Sequence, residues 1–273
     1  MSDHYAVIGN PIGHSKSPYI HGRFAEGTGQ VMDYVALTAP LGGFAAAADA
    51  FRAAGGRGLN ITAPFKLDAR AYADAVSDRA RQAGAVNAIR FEGNLAEGEN
   101  FDGVGLVRDI TVNLDRPIGG RRVLLLGAGG AARGVLAPLL AEKPAHLMLV
   151  NRTRAKAETL AAAFRDHGPV EAGDVDHLAA GGFDLVINAT SAGLATGPPP
   201  ASASTFRGCR LAYDMTYGMG LTPFLSLARG GGAGAIADGV GMLVEQAAET
   251  FTWWRGVRPQ TGAVRAALTI ALD

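Results

Sequence analysis

Arg122-Val123-Leu124-Leu125-Leu126-Gly127-Ala128-Gly129-Gly130-Ala131-Ala132 joins an apolar run to a helical one through a glycine-rich turn. Branched residues ending at a glycine read as a buried strand, and Gly130 to Ala141 carries the apolar spacing of a helix. The turn fits G-x-G-x-x-G/A in the context that gives that pattern meaning, directly after a strand and directly before a helix. Gly127 permits the tight turn, Gly129 lets the backbone approach a pyrophosphate, and small Ala132 allows close helix packing. The helix start contributes unpaired N–H groups and the positive end of its dipole. A glycine-rich turn without a ligand is the plain alternative. A second strand at the expected distance, His146 to Val150, favours a dinucleotide.

The end of that second strand bears on which dinucleotide. A carboxylate there accepts from the 2′-OH of NAD, whereas cations suit the 2′-phosphate of NADP. The chain reads Val150-Asn151-Arg152-Thr153-Arg154-Ala155-Lys156, with no carboxylate before Glu158. Arg152 offers a planar guanidinium and Thr153 a helix cap and a hydroxyl, so NADP is favoured. A solvated basic turn is the other reading of these residues.

Outward from this unit the alternation of strand and helix continues. A helix is expected over Thr153 to His167, strands over Leu185 to Asn188 and Leu211 to Asp214, and a helix near Thr222 to Arg229. Before it, Asp115-Arg116-Pro117-Ile118-Gly119-Gly120 is turn-prone and marks a domain boundary. Further upstream Tyr5 to Ile8, Asp33 to Leu37 and Leu59 to Ile61 read as strands, interleaved with helices from Ser17-Pro18, from Gly42 to Ala54, and from Asp78 to Gly84. Such alternation predicts an α/β fold with a parallel or mostly parallel sheet in each half. Two amphipathic helices, about Gly239 to Arg255 and Thr261 to Leu272, close the sequence without a strand between them. Gly197-Pro198-Pro199-Pro200 reads as an exposed loop.

Composition narrows the function. The 273 residues are 48% hydrophobic and 18% charged with zero formal net charge, which disfavours disorder and a nucleic-acid partner. A single cysteine, Cys209, excludes an intrachain disulfide and any cysteine-based zinc cluster. The histidines show no metal-ligand spacing, so no metal site is expected. No signal-peptide pattern stands at Met1 to His14, and no apolar run approaches the roughly 20 residues that span a bilayer. A soluble, cytoplasmic protein with no membrane partner is the expectation.

Lys66 follows a strand end in Asn60-Ile61-Thr62-Ala63-Pro64-Phe65-Lys66. A lone lysine is ordinarily a solvated charge; beside a carboxylate it can exchange the proton of a reacting hydroxyl. The segments around it carry more. Gly9-Asn10-Pro11-Ile12-Gly13-His14-Ser15-Lys16-Ser17-Pro18, the Asn60 to Lys66 segment, Gly84-Ala85-Val86-Asn87-Ala88 and Asn100-Phe101-Asp102-Gly103 occur in order. They are followed by the Gly127 loop, Asn151-Arg152-Thr153, Asn188-Ala189-Thr190-Ser191, Asp214-Met215-Thr216-Tyr217 and Asp238-Gly239-Val240-Gly241-Met242-Leu243-Val244-Glu245-Gln246-Ala247.

Over essentially its whole length the chain resembles the shikimate dehydrogenase family. The resemblance implies a substrate-binding α/β domain over 1–104 and 239–273, made of the N-terminal half and the returning C-terminal helices, and a Rossmann-type NADP-binding domain over 105–238. It implies interconversion of 3-dehydroshikimate and shikimate, with Lys66 and Asp102 at the reacting C3 oxygen. Ser15, Ser17, Thr62 and Tyr217 would hold the substrate carboxylate, and Asn87, Asp102 and Gln246 the ring hydroxyls, Asn60 lying in the same substrate set. The cofactor set would be Gly127, Ala128, Gly129, Gly130, Ala131, Asn151, Arg152, Thr153, Lys156, Thr190, Met215, Gly239 and Met242. Met215 and Met242 read equally as core methionines. The chain departs from the family with Ala63 where valine is frequent and Gly218-Met219-Gly220 where Asn-Pro often follows the tyrosine. Alternatives are a quinate/shikimate dehydrogenase using NAD or both cofactors, and a non-catalytic sensor of shikimate-like acids. A monomer and a homodimer are both compatible with the sequence.

Overall fold

The computed structural model describes residues 2–175, 178, 181–190 and 201–272. Ser191 and the Gly197 to Pro200 stretch lie outside the described residues. The chain divides into two compact units, Met1–Gly105 with Val244–Ala267, and Leu106–Leu243 with Leu268–Asp273. The expected boundary near 238/239 thus moves to 243/244, inside a helix. The terminal residues group with the second unit, where Leu272 packs against the cluster of Phe206 and Phe224.

The first unit has a six-stranded sheet. Its strands are β1 (Asp3–Gly9), β2 (Met32–Thr38), β3 (Gly56–Ile61), β4 (Ala75–Val76), β5 (Ala88–Glu92) and β6 (Leu95–Glu99), in the order β2-β1-β3-β5-β6-β4. Helices α1 (Ser17–Thr28), α2 (Phe44–Ala53), α3 (Lys66–Tyr72), α4 (Asp78–Ala83) and α5 (Asp102–Arg108) connect them. β1, β2 and β3 are parallel, but β5 runs antiparallel to β3 and to β6. The sheet is therefore mostly parallel, as expected, with β4 also parallel to β6 and β5 the one reversed strand. The cause is a two-residue Gly93-Asn94 connection with Gly93 at φ 56°, a turn that joins only antiparallel neighbours. Because β5 begins opposite the end of β3 and β6 ends opposite the start of β5, the segments around Asn87 and Asp102 sit at the same end of the sheet as the exits of β1 and β3.

β1 and β3 are buried along most of their length, and Ile8, Leu59, Ile61 and Ile89 pack with Phe44 and Phe65 in one core. Burying each such side chain contributes about 1.5–3 kcal/mol before entropy is counted. Helix α9 (Val240–Arg255) brings Trp254 to the sheet, stacked on Tyr5 at 4.5 Å with its Nε1–H donating to the Ile89 carbonyl at 3.1 Å. Gly58 makes this approach possible, since a β-carbon there would stand 2.7 Å from the indole. Within α9 the buried Glu245 accepts from Arg258 and Thr261, each at 2.7 Å, and ties the segment after the helix back to it.

The N-cap of α1 is Lys16, which makes no side-chain cap hydrogen bond. Ser17 is the first helical residue and its side chain is buried.

The second unit contains β7 (Arg122–Leu126), β8 (His146–Val150), β9 (Val170–Gly173), β10 (Leu185–Asn188), β11 (Leu211–Asp214) and β12 (Ile236–Ala237), with α6 (Gly130–Ala141), α7 (Arg154–Ala163) and α8 (Pro223–Gly230). The order is β12-β11-β10-β7-β8-β9 and every pair is parallel. Counted from β7 this is the 3-2-1-4-5-6 order of doubly wound dinucleotide folds, whose ligands bind where the order reverses. Here that point lies beyond the ends of β7 and β10. The last helix is α10 (Gly262–Leu268).

His21 on α1 is fully buried, packed flat on Tyr34 and edged by Phe24. Neither ring nitrogen finds a well-formed hydrogen bond, although the Asn60 amide stands beside the ring. Burial pushes its pKa down to about 3 from the ordinary 6.5. The unfolded chain therefore takes up a proton that the folded chain refuses, and stability falls as pH drops from about 6.5 toward 3. Between pH 7 and pH 5 the native protein should lose about 2 kcal/mol more than His21→Phe, which has nothing to titrate. Urea denaturation followed by Trp253 and Trp254 fluorescence checks this; an equal loss in both would mean that folded His21 takes up the proton.

Candidate active site

In the first unit, α3 starts at Lys66 and α5 starts at Asp102, and both face the same end of the sheet. Lys66 Nζ lies 2.5 Å from Asp102 Oδ2, with the two side chains 34% and 18% exposed. The pair is partly sheltered and open on one side, so it can meet a ligand. Asp102 Oδ1 accepts from Asn87 Nδ2 at 2.8 Å, and Asn100 Oδ1 accepts from the Asp102 N–H at 3.1 Å. A carboxylate with both oxygens and its own amide engaged is held in one orientation.

Asn87 links the surrounding elements. Its Oδ1 accepts from Phe101 N–H at 2.9 Å, and its Nδ2 reaches Gln246 Oε1 on α9 at 3.4 Å. Thr62 is half-buried in the turn after β3, with its N–H on the Ile8 carbonyl and its carbonyl accepting from Phe65. Ser15 lies in the β1 to α1 loop, where its hydroxyl oxygen accepts from the Ser17 N–H at 3.3 Å. Asn60 is different. It is buried, accepts from Tyr34 and donates to Asn87 and Thr250, so its side chain is engaged by protein groups. Tyr217 belongs to the second unit and stands partly exposed after β11, ahead of Gly218 and Gly220 with φ of 76° and 63°. Asn100 was not singled out from the sequence, although its place two residues before Asp102 is the spacing at which an asparagine oxygen accepts from a backbone N–H.

In the second unit, Gly127 has φ 110°, and a β-carbon there would stand 3.0 Å from the Ala189 carbonyl oxygen. The turn is therefore pressed against the exit of β10, at the reversal of strand order. Gly129 and Gly130 are exposed, with nothing within 4 Å of the place a β-carbon would take, and α6 has no side-chain cap and no acidic residue in its first turn. Free N–H groups on a 12-residue helix behind an open glycine shelf, with Ala128 and Ala131 beside them, form a donor set suited to a pyrophosphate.

The basic turn after β8 is divided. Arg154 pairs with Glu158 at 2.7 Å and with Asp174, whereas Arg152 and Lys156 are exposed and form no ion pair among the described residues. Asn151 donates to the Thr153 carbonyl at 2.9 Å. Thr153 stands at the N-cap of α7, but its side chain makes no cap hydrogen bond, which corrects the expected capping role and leaves the hydroxyl outward.

Thr190, Met215, Gly239 and Met242 gather around the exits of β10, β11 and β12. Thr190 Oγ1 donates to Asn188 Oδ1 at 2.7 Å, the Met215 N–H donates to the Asn188 carbonyl, and the Gly239 N–H donates to the Thr216 carbonyl. Met215 and Met242 are half-buried and pack on the core of this unit, so each has one face inward and one outward. Behind them the buried Asp109 accepts from Tyr213 OH at 2.8 Å, and that oxygen accepts from the Met242 N–H at 3.2 Å. Burial, reinforced by Asp109, holds the Tyr213 phenol well above its ordinary range. Burial also lifts the Asp238 carboxyl, one oxygen of which accepts from the Val240 N–H.

Comparison with known proteins gives consistent matches. Residues 7–89 match the shikimate dehydrogenase substrate binding domain, 111–196 the shikimate / quinate 5-dehydrogenase model, and 239–269 the shikimate 5'-dehydrogenase C-terminal domain. The shikimate dehydrogenase (NADP(+)) of Aromatoleum aromaticum is 58% identical over 274 residues, covering 99% of this chain and 98% of its own. The crystal structure of an Ael1 enzyme from Pseudomonas putida has a TM-score of 0.96 and 53% identity, with all of both chains covered. Shikimate 5-dehydrogenase from Thermus thermophilus, in complex with NADP(H) and shikimate, has a TM-score of 0.87 and 30% identity, covering 97% of this chain and 98% of that one.

Gly241 lies where a β-carbon would land on the Asp109 carboxylate. Gly241→Ala should destabilise the protein by about 1–3 kcal/mol through overpacking against a buried charge. A thermal melt reads the effect, and an unchanged melting temperature would mean that Asp109 yields without cost.

Proposed function

The chain belongs to the shikimate dehydrogenase family, and from that premise we propose that it interconverts shikimate and 3-dehydroshikimate with NADP as hydride carrier. The observation that supports this best is the Lys66–Asp102 contact at 2.5 Å, braced by Asn87. NADP, when bound, takes up the hydride that leaves C3 of shikimate or supplies it in the reverse direction. The glycine shelf before α6 would hold its pyrophosphate, Arg152 with Lys156 and Thr153 its 2′-phosphate, and Met215, Gly239 and Met242 would line the nicotinamide.

Lys66 moves the proton at the C3 oxygen. In reduction its ammonium gives a proton to the oxygen on which negative charge develops, and in oxidation the amine accepts the hydroxyl proton. Asp102 fixes the lysine in place, and Asn87 keeps the carboxylate turned toward it. Asn87 and Gln246 also serve the ring hydroxyls, since their mutual contact of 3.4 Å is long enough for a hydroxyl to displace. Ser15, Ser17 and Thr62 are the first unit's hydroxyl donors for the carboxylate. A polyhydroxy acid met by this many directed groups is distinguished from analogues that leave some of them unpaired.

Formation of NADPH from shikimate and NADP+ by the purified protein tests the activity, and no turnover would overturn it. Lys66→Met should lower kcat by about 10²- to 10⁴-fold while shikimate affinity and the thermal melt stay near those of the native protein. Turnover within about threefold of the native rate would remove Lys66 from the proton-transfer role.

Cofactor choice separates the two neighbouring arginines. Arg152→Ala should weaken NADP far more than NAD, because only NADP carries the 2′-phosphate. Arg154→Ala should shift the two alike, since Glu158 and Asp174 already hold that guanidinium. Titration of both cofactors against both variants decides, and equal losses for Arg152→Ala would assign that residue to loop structure.

A further inference from the structure

Tyr34 lies on β2, the edge strand of the first sheet, whose neighbours Asp33, Val35 and Ala36 are exposed. Its phenol turns inward. The ring is parallel to the His21 imidazole at 4.3 Å with an interplanar angle of 5°, and His21 is itself backed by Phe251 and Trp254. The hydroxyl donates to Asn60 Oδ1 at 2.7 Å. Burial raises the pKa of the phenol, and the nearby Ser17 side chain works against that rise. Asn60 then donates through Nδ2 to the Asn87 carbonyl at 3.3 Å and to Thr250 Oγ1 at 3.4 Å. Thr250 donates to the Gln246 carbonyl one turn earlier on α9 at 3.0 Å.

One phenol oxygen thus stands near the residue proposed to anchor the substrate carboxylate and is linked through the Asn60 amide to the backbone of Asn87 and, through Asn60 and the Thr250 hydroxyl, to that of Gln246. Asn60 has no polar atom left over for a ligand, so its contribution runs through its neighbours. We propose that Tyr34 is a positioning residue that sets the spacing between Ser17 at one end of the substrate site and Asn87 and Gln246 at the other, with Asn60 as the relay. This assignment rests on the dehydrogenase reading. Burial keeps the phenol protonated far above neutral pH, so the donor is present throughout the working range. A purely apolar residue at this position would fill the same space against His21 and leave the buried Asn60 oxygen without a donor.

The position of the network restricts its effect to one ligand. All of its residues belong to the first unit, and none is among the residues proposed for the cofactor. A general loss of stability would lower the melting temperature without moving one Michaelis constant selectively.

The test is Tyr34→Phe, which keeps the ring on His21 and deletes one oxygen. The KM for shikimate should rise about threefold to tenfold, the effect of one neutral hydrogen bond, with a smaller change in kcat and an unchanged KM for NADP. A shikimate KM within about twofold of the native value overturns the proposal, whatever happens to the thermal melt. If Tyr34→Phe does not fold, Thr250→Val and Thr250→Ser take its place. The valine variant should raise the shikimate KM and the serine variant restore it, and equal values for the two overturn the proposal. Native protein assayed alongside separates the two ideas. Inactive native protein removes the dehydrogenase reading itself, whereas active native protein with an unmoved shikimate KM removes only the role of Tyr34.

Discussion

Asn87 is the constraint on which the first unit depends. The residue is buried, and every polar group it owns is used: its N–H reaches the Glu99 carbonyl, its carbonyl accepts from Ile61 and Asn60, and its side chain meets Phe101, Asp102 and Gln246. Each of those groups would be costly to leave unpaired away from water. Satisfying them together brings the end of β3, the end of β6, the start of α5 and the face of α9 to one point. The orientation of Asp102 is a consequence of that arrangement, and Lys66 then finds its partner at the start of a different helix. The hydrogen bonds that join these elements are the same ones that orient Asp102.

The second unit follows another logic, because its site is made mostly of backbone. A glycine turn pressed on the Ala189 carbonyl, an uncapped helix start and methionines with one face outward need few directed side chains. The doubly wound order accounts for the position, since the strand order reverses between β7 and β10, where such folds place their ligands. Side-chain specificity enters at the turn after β8. There one arginine is occupied by Glu158 and Asp174 while its neighbour two residues earlier is left to solvent.

What could be read from the sequence was local. The Gly127 turn, the strands β7, β8, β10 and β11 and the helix α6 all lie in continuous patterns, because a parallel strand buried on both faces is a plain apolar run. The β5–β6 hairpin escaped notice although Gly93-Asn94 is a recognised turn pair, because Arg90, Glu92, Glu97 and Glu99 dilute the apolar signal of two five-residue strands. That omission concealed how Asn87 and Asp102 come to the same edge. Lys66 and Asp102 stand 36 positions apart, and Asn60 and Thr250 190 apart, so no spacing rule could join them. The resemblance of the ordered motifs identified Lys66 and Asp102, but it carried no word of Tyr34, whose partners are Asn60 and a histidine on another element. Arg152 and Arg154 likewise look alike in sequence; Asp174, 20 positions beyond Arg154, distinguishes them.

The first unit is interrupted in sequence, and its missing piece is the part of α9 that carries Gln246, Thr250 and Trp254. During synthesis on the ribosome the sheet from β1 to β6 emerges early, with Gly58 and the ring of Tyr5 still uncovered where the indole will later lie. All six strands of the second unit must be translated before α9 appears. A nascent chain can therefore have every strand of its second unit in hand while the sheet of the half that holds Lys66 is still waiting for the helix that covers it, and the second unit in turn waits for the last residues, Leu268–Asp273.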